Sequence, residues 1–280
     1  MVNSHLEELL KIEDAPGDIL DAMKYSLLAC GKRIRPILAI SICEALGGRI
    51  EDVLSFACAM EMIHTYSLIH DDLPAMDNDN LRRGKPTNHV VFGEAKAILA
   101  GDALLNYAFE VMLSEIAKKG YGEKYVKAAE IVAASSGVKG MIGGQVIDIE
   151  SENSSMDLKE LQDMHRRKTG ALIEASALLG CIISGKTERM DLVGEYSRNL
   201  GIAFQIVDDI LDYEGDSSIL GKSIGKDEAE GKSTFVSILG IQKSKEMANK
   251  YSENAYDIAK SLDASGFLGE LTLYLLNRKN

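Results

Sequence analysis

The sequence predicts an all-α protein: a single-domain bundle of many helices. Two observations point to helices. The last of only four prolines is Pro86, so residues 87–280 lack the residue that most strongly breaks a helix. The same stretch is rich in Ala, Leu, Ile, Met, Glu and Lys, a helix-forming composition. A third observation sets the number of domains. Only short Gly or Ser breaks separate the apolar helical patterns, with no Pro-rich or Ser-rich linker and no repeat of fixed period, so 1–280 reads as one domain.

Composition narrows the function. With 46% hydrophobic and 26% charged residues and no Trp, the chain has the balance of a soluble globular protein. Its net charge of -12 argues against a general electrostatic grip on nucleic acid, which needs surplus Lys and Arg to displace counterions. Anionic ligands must then be met by local basic groups or by metal. Cys30, Cys43, Cys58 and Cys181 are widely spaced and suggest neither a zinc site nor a disulfide framework, which fits a reducing cytoplasm. The acidic start lacks a signal-peptide pattern, and no apolar run approaches the roughly 20 residues of a membrane span.

In chain order, residues 18–30 form an amphipathic segment ending at Gly31, where the basic run GKRIRP begins and Pro36 allows a new helix to start. Residues 54–69 are almost continuously apolar, as in a helix packed on most sides. This helix delivers His70, Asp71 and Asp72 just before Pro74, which disfavours helical geometry at Leu73 and ends or kinks the helix there. The polar stretch DNDNLRRGKPTNH then reads as a loop. Helical patterns follow at 95–116, 127–141, 158–183 and 195–213. Residues 214–233, with four glycines and alternating charge, form a loop suited to act as a lid.

Two acidic groups end apolar helices: Asp71 and Asp72 with Asp77, and Asp208 and Asp209 with Asp212. Asp208 and Asp212 are four apart, so they share a helical face and can share a cation. Asp71 and Asp77 would face apart on a continuous helix; the break at Pro74 allows Asp77 to return. Carboxylates gathered at the negative end of a helix dipole are unfavourable unless a cation compensates them. Magnesium, a hard ion that bridges a few carboxylates to phosphate oxygens, fits that need. Either group alone could be chance surface acidity, but two such groups on apolar helices make chance a poor explanation.

Basic residues gather at the same places: Lys32, Arg33 and Arg35, then Arg82 and Arg83, then Lys168, Lys222 and Lys232. In an acidic chain this arrangement points to a polyanion held by direct ion pairs and through metal, and a diphosphate suits both. Taken singly, Lys168 or Lys232 reads equally well as a solvated surface charge.

With these motifs in order, the chain resembles the trans-prenyl diphosphate synthases, in particular bacterial farnesyl diphosphate synthases and their geranylgeranyl relatives. The resemblance runs through GKRIRP at 31–36, IHTYSLIHDDLPAMDNDNLRRGKPTNH at 63–89, GGQVIDIE at 143–150, KTGAL at 168–172, FQIVDDILD at 204–212 and LGKSIGKDEAEGKSTF at 220–235. It implies the isoprenoid synthase fold, a helical bundle around a central cavity. Lys32, Arg35, His64 and Arg83 would hold isopentenyl diphosphate; Arg82, Lys168, Thr169, Gln205, Lys222 and Lys232 would serve the allylic diphosphate. Asp71, Asp77 and Asp208 would be the main magnesium ligands, supported by Asp72, Asp209 and Asp212. Catalysis would rest on Asp71, Asp77, Asp208, Lys168 and Lys222. The expected reaction ionises the allylic diphosphate and joins it head to tail with isopentenyl diphosphate. By the same analogy the protein is expected to be a homodimer.

Product length is expected to be set along the buried helix, where Tyr66 lies five positions before Asp71. A ring there would cap a cavity for a fifteen-carbon chain, which predicts farnesyl diphosphate; the widened first aspartate motif also occurs in relatives that make twenty-carbon products. Two features depart from the family pattern. Cys30 stands where many relatives have glycine, and the chain before the basic run is short, as if an N-terminal helix were missing. A terpene cyclase would not need the Lys32, Arg35 and His64 site, and a silent regulatory subunit would not need the second acidic cluster with Lys222 and Lys232.

Overall fold

The computed structural model describes residues 1–29, 31–151, 155–214 and 232–276. Helices dominate throughout. They are α1 (Val2–Leu9), α2 (Gly17–Leu27), α3 (Ile34–Ala45), α4 (Ile50–Asp71), α5 (Asn88–Phe92), α6 (Glu94–Lys118), α7 (Glu123–Ser136), α8 (Met141–Ser151), α9 (Leu158–His165), α10 (Ala171–Ser184), α11 (Met190–Glu214), α12 (Phe235–Leu239), α13 (Ile241–Leu262) and α14 (Phe267–Leu276). Among the described residues the strands are β1 (Leu81–Arg82) and β2 (Lys85–Pro86), a small antiparallel hairpin inside the expected loop.

The core explains why α4 is apolar on nearly every side. Val53, Phe56, Met60, Ile63, Tyr66 and Ile69 are all buried, packed with α1, α2, α6, α7 and α10 in one large cluster. A second cluster joins α3, α10, α11, α13 and α14, and a third joins α9, α11, α12 and α13 beneath the second acidic group. Each large aliphatic or aromatic side chain buried this way contributes about 1.5–3 kcal/mol before conformational entropy is set against it. By length and composition α6 could cross a membrane, contrary to the sequence expectation. Here it is a bundle helix, pressing Ala97, Ala100, Leu104, Ala108 and Met112 into the core.

Several boundaries depart from the sequence pattern for identifiable reasons. The helix expected at 127–141 stops at Ser136, because Gly137 is extended and Gly140 approaches the Ser135 carbonyl too closely for any Cβ. The chain from Leu158 to Ser184 is helical as expected, but a π-helical turn at Arg166–Gly170 widens it in the middle. A capping box at Asp157 and Glu160 starts α9, and another at Thr234 and Ser237 starts α12. Cys43, Cys58 and Cys181 are buried free thiols, their pKa values pushed up to about 11, 12 and 11 by burial. Cys30 lies outside the described residues.

Candidate active site

The C-terminal end of α4 carries the first acidic group. Its last helical residue is Asp71, and Asp72 caps it just before Pro74. The turn then folds back: Met76 and Asn78 donate backbone N–H bonds to the Leu73 carbonyl at 2.9 and 3.1 Å, and Asp77 donates to the Asp71 carbonyl at 2.9 Å. Asn78 completes the reversal at φ 51°, a left-handed conformation that Asn tolerates better than most residues. The break therefore does bring Asp77 back beside Asp71.

Electrostatics mark this corner as poised for a cation. Burial raises the Asp71 pKa, opposed by Lys168 and Arg82 and reinforced by Asp77 and Asp148. Lys232 comes within 3.7 Å of Asp77. Asp72 points elsewhere: it is 3% exposed and accepts from Arg82 Nε at 2.7 Å and Nη2 at 2.6 Å. The two residues expected to serve metal and allylic diphosphate thus hold each other, fixing the hairpin to α4.

The second acidic group divides in the same way. Asp208 and Asp212 share a face of α11. Asp209 is buried, and its Oδ2 accepts the backbone N–H of Phe235 at 2.7 Å, so this carboxylate anchors the start of α12.

Lys168 and Thr169 lie on the π-helical turn, a distortion that often marks functional positions because it re-aims side chains within a helix. Gly144 on α8 packs against the Lys168 backbone so closely that a Cβ there would overlap it. Across this contact Lys168 Nζ meets Asp148 Oδ2 at 2.6 Å. Burial lowers the Lys168 pKa, but Asp71, Asp148 and Asp77 outweigh it and the net shift is upward, so the ammonium persists. Asp148 is the residue that sequence reasoning missed. It lies within the quoted GGQVIDIE motif, but nothing in the motif says that its carboxylate meets Lys168.

A separate basic pocket forms between α3, α4 and the hairpin. The guanidinium of Arg83 lies against Gly31, where a Cβ would collide with it. Arg35 is crowded by burial and by Arg83, partly offset by Glu61, which lowers its pKa to about 10; its Nε is buried without a partner. His64 is half-buried with Arg35, Arg83, Arg82 and Arg33 around it, and desolvation with those charges pushes its pKa well below 6.5. A neutral imidazole amid guanidinium groups suits an anion. Arg33, which the sequence groups with the anion binders, instead turns inward at φ 50°. It pairs with Glu61 at 2.8 Å and donates to the Leu27 and Ala29 carbonyls. Lys32 is exposed beside this pocket, and Gln205 is half-buried on α11. Lys222 and most of the expected lid, residues 215–231, lie outside the described residues.

The donor set fits magnesium by chemistry. Asp71, Asp77, Asp208 and Asp212 offer hard carboxylate oxygens, and the charge of a cation would offset the desolvation that raises the Asp71 pKa. Among the described residues no three or more acidic, His or Cys side chains already converge on a metal position.

Comparison with known proteins places the chain in a family. The family model described as Polyprenyl synthetase matches residues 17–265. The chain is 45% identical to the Arabidopsis thaliana protein named heterodimeric geranylgeranyl pyrophosphate synthase large subunit 1, chloroplastic, covering 100% of this chain and 77% of that one. It is 47% identical to a geranylgeranyl diphosphate synthase of Cyanophora paradoxa, over 95% of this chain and 89% of that one. Among solved structures, an FPP/GFPP synthase from Zymomonas mobilis superposes with a TM-score of 0.87 at 34% identity, covering 98% of this chain and 94% of that one. A family match across most of the chain, on an all-α bundle whose α4 ends between acidic and basic pockets, makes this chain a member of the polyprenyl synthetase family.

Proposed function

We propose that the chain is a short-chain trans-prenyl diphosphate synthase, condensing isopentenyl diphosphate head to tail with an allylic diphosphate. The observation that carries this is the pairing of two unlike anion sites around α4. One combines Asp71 and Asp77 with Lys168, and the other gathers Arg35, His64 and Arg83 with Lys32 beside them. The first suits a diphosphate that must leave, and the second one that is only held.

When bound, magnesium would supply positive charge to the departing diphosphate. Lys168 stands ready to donate to the same oxygens, aided by Thr169, Lys232 and Arg82. The allylic carbon–oxygen bond breaks and its electron pair leaves with the diphosphate. The double bond of isopentenyl diphosphate, held by Lys32, Arg35, His64 and Arg83, then attacks the allylic carbon. A proton leaves the adjacent carbon for a diphosphate oxygen. The buried walls of α4 and α6 exclude water from the cation.

For product length, the relatives' names favour geranylgeranyl diphosphate over the farnesyl diphosphate expected from the sequence. The farnesyl reading keeps one specific support: Tyr66 is 5% exposed on α4, five residues before Asp71. We propose the twenty-carbon product first and the fifteen-carbon product second. We also propose that 1–280 acts as one domain in the cytoplasm, and that it works as a homodimer, although one relative is named as part of a heterodimer.

Labelled isopentenyl diphosphate, magnesium and separate dimethylallyl, geranyl and farnesyl starters would test this, with chromatography of the dephosphorylated products. A cyclase would consume the allylic substrate without incorporating label, and a silent subunit would do neither. No incorporation by folded protein would sink the proposal.

A further inference from the structure

We infer that His70 and Gly101 position Tyr66 and are product-length determinants in their own right; this rests on the prenyl synthase reading above. Tyr66 and His70 are four apart on α4 and share a face. Their rings meet edge to face, with centroids 5.7 Å apart and an interplanar angle of 80°. The Tyr66 hydroxyl is buried without a hydrogen-bond partner, so packing alone sets the angle of its ring. His70 is held more firmly. Its Nε2 lies 3.0 Å from the Ile98 carbonyl on α6, which makes Nε2 the donor, and Asp102 on the same helix stands 3.9 Å away.

Gly101 makes this arrangement possible. It is fully inside a 25-residue helix, where glycine costs roughly 1 kcal/mol relative to alanine, so its presence calls for a reason. A Cβ at 101 would fall inside the His70 imidazole. The empty position on α6 is therefore the seat of the His70 ring, and that ring in turn braces Tyr66. A prenyl tail running down α4 from Asp71 passes His70 before it reaches Tyr66. Two helices, rather than one residue, define where the tail stops.

The test is the product distribution of purified variants supplied with labelled isopentenyl diphosphate and geranyl diphosphate. His70→Ala removes the brace and should raise the share of products one isoprene unit longer by about two- to tenfold, the factor an edge-to-face aromatic pair supports. His70→Gln, which keeps a donor but no ring, should behave likewise. His70→Phe keeps the ring and should retain the wild-type length. Gly101→Ala should unseat His70 and lengthen the products. The magnesium half-saturation of His70→Ala should match the wild type, which separates length control from disturbance of Asp71 next door. An unchanged distribution in His70→Ala and Gly101→Ala overturns the inference. So does complete loss of product in every His70 variant with the fold intact, since that would place His70 in the chemistry. A wild-type protein that incorporates no label overturns the synthase reading, and this inference with it.

Discussion

The backbone N–H of Asp77 bonds to the carbonyl of Asp71 across 2.9 Å, closing the turn that Pro74 opens. Two carboxylates six residues apart are thereby held at one corner, although α4 alone would send them to different faces. Pro74→Ala lets α4 extend beyond Asp71 and carries Asp77 away. The expected result is unchanged or greater helicity by circular dichroism with about a 100-fold fall in kcat/KM, the loss that a displacement near 1 Å can produce at a reacting centre. Full activity in this variant would show that the break does not organise the site.

Arg33 and Arg35 are two residues apart and are expected to fail differently. Arg33 is 8% exposed and paired with a 2% exposed Glu61. Arg33→Ala strands that carboxylate and should destabilise the fold by about 3–5 kcal/mol in denaturant titration. Arg35→Ala should leave the fold nearly intact and raise KM for isopentenyl diphosphate more than for the allylic substrate. An equal rise in both values would remove Arg35 from its proposed site.

That contrast shows how far the sequence can be read. The apolar run of α4, its end near Pro74 and the shared face of Asp208 and Asp212 follow from local rules of periodicity and proline geometry, and all are present. The inward turn of Arg33 depends on Glu61, and the fate of Asp72 depends on Arg82 ten residues later; neither pairing leaves a periodic trace. The π-helical turn is also hidden, since RRKTG at 166–170 signals only a weak helix through Thr169 and Gly170, not a widened one, and the distortion accompanies close packing against Gly144. Asp148 was missed for the same reason: its role exists only once α8 meets that turn.

Asp148→Ala tests the role that the fold reveals. It removes the 2.6 Å partner of Lys168 while leaving Asp71 and Asp77 in place. Lys168 loses its orientation, and kcat/KM for the allylic diphosphate should fall about 10- to 100-fold, the range for a hydrogen bond to a charged group. Isopentenyl diphosphate binding should change little. Asp148→Asn, which keeps an acceptor, should recover part of the loss; failure of Asn to differ from Ala would assign Asp148 a merely structural role.

Beneath α12, His165 stacks on Phe235 at 5.5 Å with 16° between the rings, and neither ring nitrogen has a hydrogen-bond partner. Burial lowers its pKa from 6.5 to about 4, with Asp148 raising it and Lys168 lowering it by smaller amounts. The unfolded chain therefore binds this proton more readily than the folded one between those two values. Stability from the neutral His165 is complete above pH 6.5 and is lost as pH falls toward 4, a total of about 3 kcal/mol. His64 adds a loss in the same direction. Thermal melts at pH 7 and pH 5 should show a marked drop for the wild type and a smaller one for His165→Phe, which keeps the ring stack without the titrating group. Because Phe235 also donates its N–H to Asp209, acid weakening at His165 should loosen the start of α12. Hydrogen exchange at the Phe235 amide should therefore quicken, relative to intrinsic rates, on going from pH 7 to pH 5. Equal pH dependence in the wild type and His165→Phe would show that other groups govern the acid limit.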